Sequence, residues 1–177
     1  MHKTIIAVDR RTMLTGLSAL ALAGALPRLV VPAAAQTPPR GPVPATETMR
    51  GGANNYVANA PIVRNLGTGF VASGLVRRAG DGAPLPNVRV QIWAATERGG
   101  EREPSNRGSV MTGPDGRYRL DISPIVPQFG QPHIHIAYDD ADYATLFLRP
   151  VLNSRHDAGI TADFVLAPAV SNEARRS

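Results

Sequence analysis

Cysteine is absent from the 177-residue chain. That excludes a disulfide framework and any thiolate metal site, so a metal would have to be held by imidazole, carboxylate, phenolate or backbone oxygen. Aromatic residues make up 5% of the sequence and nowhere interleave with an arginine cluster, which removes the stacking-and-phosphate signature of nucleic-acid binding. No apolar run reaches the ~20 residues that a helix needs to cross a roughly 30 Å hydrocarbon core. The longest candidate, residues 14–26, is diluted by Gly16, Gly24 and several alanines. Beyond it the chain shows no sustained helical period and no internal repeat.

What the N-terminus does hold is the layout of an export signal. Asp9-Arg10-Arg11-Thr12-Met13-Leu14 precedes the mildly apolar run, and Ala33-Ala34-Ala35 ends it. A charged start, a short apolar stretch and a small-residue cleavage site are the three parts of such a leader. Adjacent arginines with a diluted apolar region point to the twin-arginine variant, and hence to a periplasmic location without stable membrane insertion. With residues 1–35 removed, 142 of the 177 remain, fifteen of them basic and thirteen acidic, so the formal +5 of the full chain falls to +2. A chain of that length suits one domain burying about two-thirds of its unfolded surface. Residues 36–58, rich in Pro, Gly, Ala and Asn, read as a flexible lead-in; 59–168 as the domain; and 169–177 as a polar tail.

Within 59–168 the pattern is of short strands separated by turns. Val88, Val90 and Ile92 share one face of a two-residue alternation, as do Tyr118, Leu120 and Ile122. Residues 70–76, 109–111, 144–148 and 160–166 are further strands. Gly80-Asp81-Gly82 and Gly113-Pro114-Asp115-Gly116 supply turn chemistry between them. An all-β fold, a single-domain antiparallel β-sandwich, follows.

Gln131-Pro132-His133-Ile134-His135-Ile136 carries two of the three histidines left beyond the leader. On a strand over 132–138, His133, His135 and Ala137 lie on one face and Ile134, Ile136 and Tyr138 on the other. Two imidazoles on one face can converge on one ion, leaving positions for other ligands. A pair of solvated or hydrogen-bonded histidines fits the same spacing.

The order of motifs narrows the choice. Gly82-Ala83-Pro84-Leu85-Pro86-Asn87 leading to Trp93, then Thr112-Gly113-Pro114-Asp115-Gly116-Arg117-Tyr118, then Pro132-His133-Ile134-His135, with Asn55-Tyr56-Val57-Ala58-Asn59-Ala60-Pro61 upstream, resembles the intradiol ring-cleavage dioxygenases, the family of catechol and protocatechuate dioxygenases. The resemblance spans residues 55–150. It implies a β-sandwich with a mononuclear non-haem iron, His133 and His135 as ligands, and an aromatic diol and O2 as substrates. Gln131, Phe129 and Gln128, just before the pair, would line the approach.

The sequence also departs from that family. Two tyrosines complete the family's ferric site; the matching positions here are Glu101 and Pro127. An arginine that precedes the family's histidine pair is replaced by Gly130-Gln131-Pro132. Glu101 suggests another shell, since two histidines and one carboxylate are the ligand set of non-haem Fe(II) oxygenases. We therefore expect His133, His135 and Glu101, with Glu103 as substitute, to hold iron or another divalent metal. Glu101 could equally be a solvated loop carboxylate paired with Arg98 or Arg102. His156 is another candidate third ligand. Asp139, Asp140 and Asp142 follow the pair; Asp139 or Asp140, four or five residues beyond His135, is spaced as in a cupin-like arrangement, and the three also fit an acidic turn. A metal-free alternative is a carboxypeptidase-regulatory-like or transthyretin-like binding module, which shares the turn and strand motifs but has no need of the histidines.

Overall fold

The computed structural model describes residues 41–128 and 130–169, and all of them belong to one compact unit. The leader, Phe129 and the tail from residue 170 lie outside the described residues. Eight strands follow in order: β1 (Phe70–Arg78), β2 (Arg89–Ala94), β3 (Arg107–Met111), β4 (Arg117–Ile122), β5 (Ile134–Tyr138), β6 (Leu146–Leu148), β7 (Gly159–Thr161) and β8 (Phe164–Leu166). One 3-10 turn, Pro104–Asn106, is the sole helical element among them. No helix among the described residues is long and apolar enough to cross a membrane.

Two four-stranded sheets face each other. One has the order β3-β2-β5-β6 and is antiparallel throughout. In the other, β4 pairs antiparallel with β1, while β7 and β8 pair with β1 in parallel, one after the other along its length. The single strand expected over 160–166 is thus broken in two. At the break Asp163 accepts a hydrogen bond from the backbone N–H of Leu75 at 2.9 Å, and so takes a ladder position with its side chain.

Alternation explains the core. β1 and β4 bury every second residue, so Phe70, Ala72 and Val76 join Tyr118, Leu120 and Ile122 against Val90, Ile92, Ile134, Ile136 and Tyr138 of the opposite sheet. β5 departs from that pattern, because all five of its residues are buried. Its core-facing residues pack between the sheets. His135 and Ala137, with Gln91 and Trp93 of neighbouring β2, point the other way and are covered by a second layer.

That layer is the chain from Gly52 to Ala60. Its residues 52–58, expected as part of a flexible lead-in, are stitched with the next two to the sheet's outer face. Trp93 Nε1 donates to Asn54 O at 2.9 Å, Gln91 Nε2 to Val57 O at 2.9 Å, and Ser109 Oγ to Ala60 O at 2.9 Å. The segment has few apolar side chains, but its backbone carbonyls satisfy side-chain donors that an outward strand face would otherwise present to water. Asn55 and Asn59 adopt positive φ, 57° and 61°, a conformation asparagine tolerates better than most residues.

Candidate metal centre

His133 lies just ahead of β5, bridged to Val151, and His135 lies within it. Both side chains are on the outer face, 4% and 1% exposed. Each ring is fixed from behind. His133 Nδ1 lies 2.8 Å from Gln131 O and His135 Nδ1 lies 2.9 Å from Gly52 O. A carbonyl oxygen can only accept, so both Nδ1 atoms carry the proton and, in the neutral rings, both Nε2 lone pairs point outward together. Trp93, paired in register with His135, stacks on its ring at 4.8 Å and 7°.

Glu101 meets those lone pairs. Its Oε1 is 3.0 Å from His133 Nε2 and its Oε2 is 3.4 Å from His135 Nε2. At 3% exposure it is no solvated loop carboxylate. The loop between β2 and β3 that delivers it is tightly held. Gly99 turns the chain at φ 136°, where a Cβ would come within 2.7 Å of Glu103. Asn106 donates to Gly99 O and Gly100 O at 2.8 and 3.1 Å, and Thr96 donates to Asn106 at 2.8 Å. On either side of Glu101, Gln128 Oε1 accepts from its N–H at 3.1 Å and Arg107 donates to its C=O at 2.9 Å. Asn55 Nδ2 then donates to carboxylate Oε2 at 2.7 Å, and Asn55 Oδ1 accepts from Arg102 at 2.9 Å.

The electrostatics of this cluster are incomplete without a cation. Burial is the largest influence on His135 and pushes its pKa below the ordinary imidazole value; the Gly52 carbonyl and Glu101 act against that, while His133 and Arg149 add to the lowering. A neutral imidazole with Nδ1 protonated presents a lone pair, not a proton, to Glu101. Its Nε2 is fully buried and has no hydrogen-bond partner. A buried carboxylate facing two nitrogen lone pairs costs several kcal/mol unless a positive charge lies among them. Metal–nitrogen and metal–oxygen bonds of about 2.1 Å place neighbouring ligand atoms about 3.0 Å apart at right angles and about 3.4 Å apart at a tetrahedral angle. The two carboxylate–imidazole separations, one to each Glu101 oxygen, fall in that range, and one ligand atom from each of the three residues lies within 4.8 Å of the others. The donor set therefore fits a divalent ion.

The other candidates separate from this cluster. Glu103 and His156 are exposed, and among the described residues only Glu101, His133 and His135 form such a group. Asp139 is bonded to the Tyr56 hydroxyl, away from the histidines' ligand atoms. Tyr118 donates to Ala162 O at 2.7 Å and Tyr138 accepts from Tyr143 N at 3.2 Å, so both serve the fold. Gln131 contributes through its backbone carbonyl, its side chain being exposed, and Gln128 through the Glu101 N–H. Phe129 lies outside the described residues. Sequence reasoning missed Trp93, Asn55 and Arg149 as parts of the site. Trp93 had a signal, since strand alternation puts it on the face opposite Val90 and Ile92; Asn55 and Arg149 had none, because they reach the site from distant segments.

No family model and no curated protein sequence matches the chain. Solved structures do. The dioxygenase domain of a dioxygenase–carbohydrate-binding protein fusion from the cellulolytic bacterium Streptomyces sp. SirexAA-E matches at 22% identity and TM-score 0.54, over 71% of this chain and 99% of that one. Hydroxyquinol 1,2-dioxygenase from Pseudomonas putida DLL-E4 matches at 16% and 0.52, over 71% and 68%. 3-Chlorocatechol 1,2-dioxygenase from Rhodococcus opacus 1CP matches at 16% and 0.51, over 71% and 73%. The fold is thus the one found in solved hydroxyquinol and 3-chlorocatechol 1,2-dioxygenases.

Proposed function

We propose that this chain is an exported, mononuclear metal-dependent oxygenase of the intradiol-dioxygenase type, with His133, His135 and Glu101 as the protein ligands. The observation that carries the reading is the buried carboxylate facing two imidazole lone pairs at 3.0 and 3.4 Å. Two histidines and one carboxylate suit iron(II) and leave positions open. A redox-active ion held by these residues would supply the electron-transfer chemistry that O2 activation requires, and an aromatic diol is the substrate class suggested by the fold resemblance. Gln131 and Gly52 hold the two imidazoles in the ligating tautomer, and Asn55 orients the carboxylate. Trp93 excludes water from one face of His135. A metal-free binding module would have no use for an unpaired buried Nε2 beside a buried carboxylate.

Metal analysis of the purified protein tests this. Wild type is expected to carry about one metal per chain, Glu101→Ala to lose most of it, and Glu103→Ala to retain it. Unchanged stoichiometry in Glu101→Ala, or no metal in wild type under reconstitution with iron(II), would overturn the assignment. Because Glu101 replaces a phenolate, the iron form should lack the intense visible band of tyrosinate-bound iron(III); a deep red preparation would contradict that ligand set.

A further inference from the structure

The cleft that opens beside the histidine pair differs from a pocket built for a neutral aromatic ring. Its volume is about 350 Å³ and its described lining residues are Asn54, Asn55, Glu101, Arg102, His133 and Arg149. None of these side chains is apolar. Ligand pockets that bury ring faces are lined mostly by apolar and aromatic groups, with polar groups few and placed. Here amide and guanidinium donors dominate, and the one acid, Glu101, is turned toward the imidazoles.

Two of those donors are cations without counter-charges. Neither Arg102 nor Arg149 has a carboxylate within ion-pair distance among the described residues. Arg102 is held by Asn55 Oδ1 at 2.9 Å. Arg149, just beyond β6, is half-buried and sets a guanidinium nitrogen 3.2 Å from His133 Nδ1, an atom that already donates to Gln131 O. That contact joins two donors and gains nothing by itself. A half-buried guanidinium kept there is explained by a ligand anion. A divalent ion on two neutral imidazoles and one carboxylate leaves one positive charge, and the two arginines raise the local charge to three.

We propose that this cleft binds a small polar carboxylate bearing an adjacent hydroxyl or oxo oxygen, with Arg149 as its principal anchor and Arg102 as a second. Guanidinium and carboxylate match as planar forks, which lysine cannot reproduce. The adjacent oxygen faces the histidine side, a placement that rests on the metal-centre reading above. Arg149 is then a specificity-determining residue, selecting such carboxylates over neutral molecules of the same shape.

Tartrate and threitol share a carbon chain and a central diol and differ only in carboxylate against hydroxymethyl ends, so titration calorimetry with both isolates the charge. Metal content is measured before and after each titration. Metal-loaded wild type is expected to bind tartrate at least about tenfold more tightly than threitol, a difference of about 1.4 kcal/mol. In Arg149→Gln the tartrate affinity should fall about tenfold while threitol binding and metal content stay unchanged, and Arg149→Lys should restore only part of it. Raising the salt should weaken tartrate binding to wild type more than to Arg149→Gln. Equal tartrate affinity in wild type and the Arg149→Gln/Arg102→Gln double variant, both folded by circular dichroism, would overturn the proposal. Metal-free protein separates the two readings. If no metal binds but tartrate binding still depends on Arg149, the metal centre fails and the carboxylate site stands.

Discussion

At the scale of single residues, the site depends on atoms that touch the ligand side chains from behind. Asn55 is the clearest case, because it donates to Glu101 at 2.7 Å while its own acceptor is engaged by Arg102. Removing such a partner typically costs 10–100-fold in metal affinity. Asn55→Ala is therefore expected to weaken metal binding by about that factor, read by competition with a chromophoric chelator, without abolishing it as Glu101→Ala does. The histidine pair was legible as H-x-H on a strand. Glu101 was legible only by counting from Trp93, and its burial was not, since a Gly-Gly-Glu-Arg loop reads as solvated until Asn106, Gln128 and Arg107 are seen to hold it.

At the scale of elements, the segment 52–60 behaves as an outer layer of the β2–β5 sheet. Gly52 marks where it must lie close, since a Cβ there would come 2.6 Å from Phe147 O. Gly52→Ala is expected to cost about 1–3 kcal/mol and to displace the carbonyl that orients His135. Thermal unfolding with and without metal checks both effects, because the metal-dependent rise in Tm should shrink in the variant. The opposite sheet offers a pH test. Burial, with the Asp163 charge adding, pushes the Tyr118 phenol above its ordinary value. A raised folded-state pKa gives stability that is fully present below the unfolded value and is lost as pH rises through the folded one. The Tm should thus fall as pH climbs above about 10, and less steeply in Tyr118→Phe, which at neutral pH loses about 1 kcal/mol with the bond to Ala162.

At the scale of the whole molecule, a chain with no disulfide relies on its sandwich core and, on the proposed reading, on an ion held by Glu101, His133 and His135. The ligand set draws on the β2–β3 loop and on β5 with the residue just ahead of it, and two of the groups holding it, Gly52 and Asn55, come from the segment before β1. An ion present at 100 times its Kd adds about 2.7 kcal/mol, which for a domain of this size raises Tm on the order of 5–10 °C. Chelation should reverse that rise and increase proteolytic cleavage within 49–60, whereas an outer layer held by hydrogen bonds alone would show neither change.

The strand pattern, the turns and the common face of His133 and His135 follow from the sequence by itself, because alternation and turn chemistry are local properties of the backbone. Six of the strands, β1 to β6, were placed within two residues of their bounds for that reason. The splitting of β7 from β8 and their parallel pairing with β1 were decided by tertiary contacts, through a side chain of Asp163 that no periodicity reveals. So was the placing of 52–58, expected within a lead-in, as part of a cover, since its value lies in carbonyls that become acceptors only when the sheet's outer face supplies the donors. The convergence of Glu101 with the histidines, and of Arg149 beside them, likewise belongs to the folded chain alone. Burial and charge at a point in space are sums over segments far apart in sequence.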